Sequence, residues 1–224
     1  MTNREKAILI KEFLDAEYGQ VQTFLDFDRS KPWQFLICVM LSAQATDKSV
    51  NKVTPELFKA YPTIDALADA DPKDIERITR SVGLAHTKSK NIVKTAKTIR
   101  DDLHGSIPME RDRLTKLPGV GFKTAGVYLG EIYDYPYIPV DTHVERVSRT
   151  LGLVTNNQDR PSIERTLEKA FKGLGNMINT HRQLILFGRN ICRPGTTKKQ
   201  AWAYILGRSE DLKSEEDEDD SESI

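Results

Sequence analysis

The sequence predicts an all-α protein, and three of its features support that fold class. Apolar residues recur three and four positions apart along most of the 224 residues, which is the spacing of one helix face. No stretch alternates polar and apolar residues over the length of a strand, and the β-branched residues fall at helical spacing. Proline and glycine separate the apolar segments, and the chain contains neither an internal repeat nor a long linker.

The helices predicted for the first part of the chain begin at recognisable residues. Residues 4–18 form a helix that ends near Gly19. Pro32 is a good first residue for a helix that is apolar on nearly all sides and is therefore expected to be buried. Asp47 is predicted to cap the next helix, and Asp71-Pro72 to start a short one.

The second part of the chain is also predicted to be helical. Val82-Gly83-Leu84 breaks the helical pattern, which resumes over residues 87–103. Further helices are expected after a turn rich in proline and glycine. They lie near 123–133, 142–151, 161–171 and 178–191, and an amphipathic segment with Ala201, Trp202, Tyr204 and Ile205 follows.

The most informative stretch is Leu117–Ala125. Pro118 ends any preceding helix, because it lacks an N–H group and restricts the residue before it. Gly119 and Gly121 allow a positive φ and the close approach of another chain. A helix then begins at Lys123. The first N–H groups of this helix form a site for an anion, and a DNA phosphate would fit it. A plain structural turn is the alternative for this pattern alone.

A carboxylate follows at the start of the next helix. Asp141 comes after the proline-rich connection 135–140 and directly before apolar positions at helical spacing, Val144, Val147 and Leu151. This is an N-cap position, where a carboxylate accepts helix N–H groups and stays ionised.

Composition limits the class of protein. An apolar content of 38% with 29% charged residues suits a soluble globular protein, and no apolar run is long enough to span a membrane. The first residues lack the apolar core of a signal peptide. The two cysteines, Cys38 and Cys192, cannot form a disulfide framework, so we expect a reducing, cytoplasmic setting.

The net charge of zero conceals an uneven distribution. Residues 209–224 contain nine acidic residues and one basic residue, whereas the rest of the chain holds 32 basic and 24 acidic residues. A basic body is typical of nucleic-acid-binding proteins, although a moderately basic enzyme would fit equally well. The acidic tail has too few apolar side chains to offset the entropy of ordering, so we expect it to be disordered.

Several motifs together resemble the endonuclease III-like helix-hairpin-helix (HhH-GPD) DNA glycosylases. They run in the family's order from about residue 25 to residue 192. Besides the hairpin and the Asp141 segment, they are Leu41–Asp47, Val82-Gly83-Leu84, Lys90-Asn91-Ile92 and Leu184–Arg189.

The resemblance implies two helical lobes with DNA bound in the cleft between them. One lobe would be contiguous, residues 25–134, and would contain the hairpin. The other would combine residues 1–24 with 135–208, and 209–224 would be the acidic tail. The hairpin and Asp141 would then face each other across the junction.

The resemblance also implies a chemistry. The enzyme would flip a damaged base out of the duplex, and Gln44 and Leu84 would fill the gap. Lys123 would attack the sugar as an amine nucleophile, forming an imine and then breaking the strand by β-elimination. Asp141 would stabilise positive charge on the sugar. On their residues alone, Leu84 could instead be a buried loop leucine, Gln44 a polar helix end, and Lys123 only a phosphate contact.

Further contacts with DNA are expected around these residues. His143 is expected to contact phosphate or to be a surface histidine, and Phe122 stands where many relatives carry a basic residue. The full set of predicted DNA-binding residues is Gln44, Leu84, Gly119, Val120, Gly121, Phe122, Thr124, Thr142 and His143.

The C-terminal part departs from the family pattern. Relatives usually carry four cysteines that bind a [4Fe–4S] cluster after a Gly-Arg segment, whereas this chain has Cys192 and no cysteine beyond it. We therefore expect no cluster, no other metal, and Cys192 as a small buried residue. Trp202, Ile205 and Leu206 are expected to cover the surface that a cluster would shield.

The leading hypothesis is a base-excision repair N-glycosylase with abasic-site lyase activity on oxidised pyrimidines in duplex DNA. The alternatives are a glycosylase for a mismatched or alkylated base, and a binding module for damaged DNA without chemistry. The expected partner is damaged double-stranded DNA, with no membrane. We expect a cytoplasmic, nucleoid-associated monomer.

Overall fold

The structure, a computed structural model, describes residues 1–207, and these form α-helices joined by turns without any strand. The all-α prediction is confirmed. The helices are α1 Asn3–Tyr18, α2 Pro32–Ser42, α3 Asp47–Ala60, α4 Ile64–Ala68, α5 Pro72–Thr79, α6 Ala85–Lys97, α7 Arg111–Leu114, α8 Phe122–Tyr133, α9 Thr142–Thr150, α10 Arg160–Phe171, α11 Met177–Asn190 and α12 Lys198–Ile205. None of these helices is long and apolar enough to cross a membrane.

Residue contacts divide the chain into two compact units. One is continuous, Thr23–Tyr133, and the other combines Met1–Gln22 with the described residues of Asp134–Ile224. The sequence predicts the two divisions between residues 24 and 25 and between residues 134 and 135, whereas the contacts place them after Gln22 and after Tyr133. The predicted disordered tail, 209–224, lies outside the described residues.

Helix α2 forms the centre of the continuous unit. All of its residues from Gln34 to Leu41 are buried, as its uniformly apolar sequence predicts. Helices α3, α6 and α8 pack against it, and the Phe35 ring lies 6.4 Å from that of Tyr128 in α8. Each fully buried side chain of this kind contributes roughly 1.5–3 kcal/mol before entropy.

Helix α11 forms the centre of the discontinuous unit and packs against α1 and α9. Gln183 in α11 is fully buried, and its Nε2 donates to the carbonyl oxygens of Leu14 at 3.2 Å and Gly19 at 2.7 Å. These bonds join α11 to the last turn of α1 and to Gly19, the residue that follows it. They explain why the first residues of the chain belong to this unit.

The predicted N-cap of α3 is wrong by one residue. Thr46, not Asp47, is the cap, because its hydroxyl oxygen accepts the N–H of Ser49 at 3.2 Å. Asp47 is the first residue of the helix, where a negative charge also interacts favourably with the helix dipole. Both residue types cap helices well, so their order alone does not decide between them.

Other helices also differ from the prediction. Helix α6 starts two residues before the predicted start at 87, and the residues that follow it, Thr98–Asp102, form a π-helical turn. The short helix α4 is not predicted, because its five residues are too few to show a periodic pattern.

The C-terminal helix buries its tryptophan. Trp202 is 8% exposed, and its indole Nε1–H donates to the carbonyl oxygen of Leu151 at 3.2 Å. Cys192 is fully buried as predicted, and burial raises the pKa of its thiol. Leu206, the residue after the end of α12, is 41% exposed, so its predicted role in covering this surface is wrong. Ile205 is partly covered.

We predict that Trp202→Ala lowers the free energy of unfolding by about 3 kcal/mol, because it removes a buried aromatic ring and its hydrogen bond. Tyr204→Ala is the matched control on the same helix, since Tyr204 is 45% exposed. Urea denaturation of both variants measures the difference. Equal losses in the two variants would contradict this account of the C-terminal segment.

Candidate active site

The hairpin between α7 and α8 depends on one glycine. Gly119 has a φ of +78°, and a Cβ at this position would lie 2.9 Å from the Cβ of Asn91 in α6. Both the backbone conformation and the close packing therefore require glycine. Gly121 has no positive φ, so that part of its prediction is wrong, but no other residue would touch a Cβ placed there. The chain reverses its direction with Gly119 as the one left-handed residue of the hairpin, and the space next to Gly121 is open.

Helix α8 begins with free donors. Its first intrahelical bond runs from the N–H of Ala125 to the carbonyl oxygen of Gly121 at 2.9 Å. The N–H groups of residues 122–124 consequently have no acceptor within the helix. Lys123 is exposed in this first turn, and Thr124 is partly exposed. The result is a positive helix end with a lysine, as the sequence predicts, and it can bind an anion.

Val120 does not fit its predicted role in binding DNA. Its side chain is 4% exposed, and its N–H donates to the carbonyl oxygen of Leu117 at 3.0 Å. It therefore presents neither a side chain nor a donor to a ligand. Val120 is therefore a core residue of the hairpin, where its apolar side chain is buried.

A cation lies over the aromatic ring at the start of α8. Phe122 is 43% exposed, and the guanidinium carbon of Arg111 lies 4.0 Å from the centroid of its ring. A guanidinium at this distance makes a favourable cation–π contact. A Cβ on Gly126 would overlap the same guanidinium, so the glycine leaves room for it. Sequence reasoning missed Arg111, although a glycine inside a helix is a signal of close packing.

The two predicted gap-filling residues share an unusual backbone. Gln44 has a φ of +55° and Leu84 a φ of +61°, and both side chains are exposed. Leu84 is 58% exposed, which excludes a buried loop leucine. Left-handed backbone costs a non-glycine residue about 1–2 kcal/mol, so the surrounding structure must hold both residues in place.

The structure brings these two residues together. A Cβ on Gly83 would lie 3.4 Å from the carbonyl oxygen of Gln44, so the two turns are in contact. Lys88 Nζ in α6 donates to the carbonyl oxygen of Leu41 at 2.7 Å, next to the end of α2. The turns that carry Gln44 and Leu84 thus form one surface.

Helix α6 also supports the hairpin. The hydroxyl of Thr95 donates to the carbonyl oxygen of Pro118 at 2.7 Å, one turn along from Asn91, which packs on Gly119. A single helix therefore touches the Leu84 turn, the end of α2 and the hairpin.

In the discontinuous unit, Asp141 is the N-cap of α9, as predicted. Its Oδ1 accepts the N–H of Val144 at 2.8 Å, and the residue stays partly exposed. Thr142 is exposed beside it. His143 Nδ1 accepts a hydrogen bond from Arg146 Nη2 at 3.1 Å, and the same guanidinium group donates to carbonyl oxygens in the Gly188–Cys192 segment. This network fixes the start of α9 relative to the end of α11.

The fold and the hairpin define a class of protein: an all-α, helix-hairpin-helix protein with an exposed lysine at the start of the second hairpin helix. The profile of the HhH-GPD superfamily base excision DNA repair proteins matches residues 37–173. The chain belongs to this family.

The chain is similar to curated endonuclease III proteins along most of its length. It is 40% identical to endonuclease III of Bacillus subtilis (strain 168) over 164 residues, which cover 73% of this chain and 74% of that protein. It is 35% identical to endonuclease III of Escherichia coli (strain K12) over 192 residues, covering 85% and 88%.

Solved structures agree with this relationship. A trapped endonuclease III–DNA covalent intermediate superposes with a TM-score of 0.80 at 36% identity, over 88% of this chain and 91% of that one. A non-covalent endonuclease III–DNA complex gives a TM-score of 0.81 at the same identity and coverage.

The cysteines do not fit the [4Fe–4S] cluster that the resemblance implies. Such a cluster takes four cysteine ligands, and the chain has two. Cys38 is buried in the continuous unit, where its Sγ–H donates to the carbonyl oxygen of Asp26 at 3.6 Å, and Cys192 belongs to the other unit. Burial raises the pKa of the Cys38 thiol to about 12, which disfavours the thiolate form that metals bind.

We predict that Gly119→Ala lowers the free energy of unfolding by about 1–2 kcal/mol, because of its left-handed backbone and the contact with Asn91. Gly121→Ala is the matched control in the same hairpin, and we expect it to change stability by less than about 0.5 kcal/mol. Thermal or urea denaturation compares the two. A Gly119→Ala variant as stable as the control would contradict the assigned role of this glycine.

Proposed function

We propose that this member of the base excision repair family is a DNA N-glycosylase that also cleaves the abasic site, in the manner of endonuclease III. The observation that carries the proposal is the exposed Lys123 in the first turn of α8, directly after the hairpin. The related proteins named endonuclease III support it, as does the solved covalent endonuclease III–DNA intermediate.

The proposed partner is damaged double-stranded DNA, bound by a monomer. The free N–H groups at the start of α8 would bind a phosphate, and Lys123 and the Arg111 guanidinium add positive charge there. Outside the acidic tail the chain has a net charge of about +8, which would attract DNA phosphates whatever the DNA sequence.

Lys123 would be the nucleophile. Its neutral amine would attack the anomeric carbon of the sugar, and the glycosidic bond electrons would leave with the base. Ring opening would give an imine, loss of the adjacent C2′ proton would follow, and the 3′ phosphate would leave. Because Lys123 is exposed, any desolvation of its amine has to come from the bound DNA.

The other predicted residues would assist this reaction. The Asp141 carboxylate would stabilise positive charge on the sugar, which is a large effect in a site that excludes water. Gln44 and Leu84, both exposed on strained turns, would fill the gap left by the flipped nucleotide. No step of this reaction needs an iron–sulfur cluster, and we propose that the enzyme works without one.

The proposed lesion class is oxidised pyrimidines, by resemblance to endonuclease III. One feature favours an alternative, a mismatched or alkylated base: the exposed ring of Phe122 stands beside the nucleophile, where it could stack on a base or a sugar. Excision rates from duplexes that differ only in the lesion would decide between these classes.

We predict that borohydride traps a covalent complex between the protein and abasic DNA, and that Lys123→Ala abolishes it. Affinity for undamaged duplex should fall only slightly, since a single phosphate contact is lost. Lys116→Ala, which removes another exposed lysine of the hairpin segment, is the control and should trap normally. Undiminished trapping by Lys123→Ala would refute the assignment, and a wild-type protein that never traps would favour a non-catalytic binding module.

We predict that Asp141→Asn slows base excision by about 100-fold or more while the protein stays folded, because asparagine caps a helix as well as aspartate but carries no charge. The matched control is Asp159→Asn at the N-cap of α10, where the carboxylate accepts the N–H of Ser162 at 2.9 Å. Single-turnover excision rates measure both. Similar rates for the two variants would show that Asp141 acts only as a cap.

A further inference from the structure

Lys88 is buried to a degree that lysine rarely reaches. It is 7% exposed, it lies one turn inside α6, and burial lowers the pKa of its amine. A lysine side chain normally extends so that its amine lies in water. The burial of Lys88 therefore indicates that its amine has a specific partner within the protein.

Its side chain holds the end of α2. Lys88 Nζ donates to the carbonyl oxygen of Leu41 at 2.7 Å, and the last carbonyl groups of a helix have no partner within it. The chain leaves the helix after Ser42 and reaches its left-handed residue at Gln44. The bond therefore fixes the helix end directly before that turn.

Its backbone holds the other turn. The N–H of Lys88 donates to the carbonyl oxygen of Leu84 at 3.0 Å, which is the first hydrogen bond of α6. The same residue thus contacts the Leu84 turn with its backbone and the end of α2 with its side chain. Gly83 also packs against the Gln44 carbonyl oxygen, so the two turns are in direct contact.

We propose that Lys88 is a positioning residue that joins the Gln44 and Leu84 turns into one preformed wedge for the gap in the DNA. The inference rests on the proposed function. A wedge that is already ordered loses little conformational freedom on binding, so more of the contact energy is available for holding the nucleotide out of the helix.

The test is Lys88→Met, which keeps an unbranched apolar stem and removes the donor. Gap filling is needed only in a duplex, so the variant should behave differently on two substrates. Single-turnover excision from a lesion-containing duplex should fall about tenfold, which is 1.4 kcal/mol, while borohydride trapping on a single-stranded abasic oligonucleotide should stay unchanged. Lys94→Met, an exposed position on the same helix, is the control and should leave both unchanged.

A merely structural role for Lys88 would reduce both reactions together, in step with the melting temperature, and would overturn the proposal. An unchanged duplex rate would overturn it as well.

A second test adds Lys88→Met to a Gln44→Ala, Leu84→Ala background. There it should lower the duplex excision rate by less than twofold, because the residues that Lys88 positions are gone. If Lys88→Met does not fold, Lys88→Gln, whose shorter side chain cannot reach as far, is measured in the same way. A wild-type protein inactive on both substrates would instead refute the proposed function.

Discussion

The contacts of one helix, α6, set the positions of the loops on which the proposed function depends. Its first residue follows Leu84, Lys88 holds the end of α2, and Asn91 and Thr95 pack against the hairpin at Gly119 and Pro118. These contacts lie on successive turns of one helix, so the distances between the loops are fixed by helix geometry. Within the continuous unit, a rigid element therefore carries the surface that would meet DNA.

This arrangement explains how the unit maintains strained backbone at exposed positions. Gln44 and Leu84 both have left-handed φ values without being glycine, and such residues persist only where their surroundings determine them. The hydrogen bonds and packing of α6 provide those surroundings. The side chains themselves remain exposed, which suits a role in contacting a ligand and not a role in the core. Lys123, the proposed nucleophile, lies in the first turn of α8, which packs on α2, the same helix that Lys88 holds.

The sequence was sufficient to predict the features that depend on local chemistry. The all-α class, the hairpin and the cap at Asp141 follow from spacing, glycine and capping preferences. The features it could not predict arise from contacts between distant segments. Burial of Val120 and Lys88 and the stacking of Arg111 on Phe122 depend on which helices become neighbours. Nothing in the residue types at positions 44 and 84 indicates a left-handed backbone, because tertiary packing imposes it.

Amide hydrogen exchange measured by NMR tests the central claim, that α6 holds these turns as one body. The N–H groups of Ala45, Val82 and Val120 each donate to a carbonyl within their own turn, and Ile92 lies inside α6. If α6 fixes the turns, the three amides should exchange through the same opening as Ile92, with similar protection and the same dependence on denaturant. Rapid exchange of the turn amides while Ile92 stays protected would contradict the account.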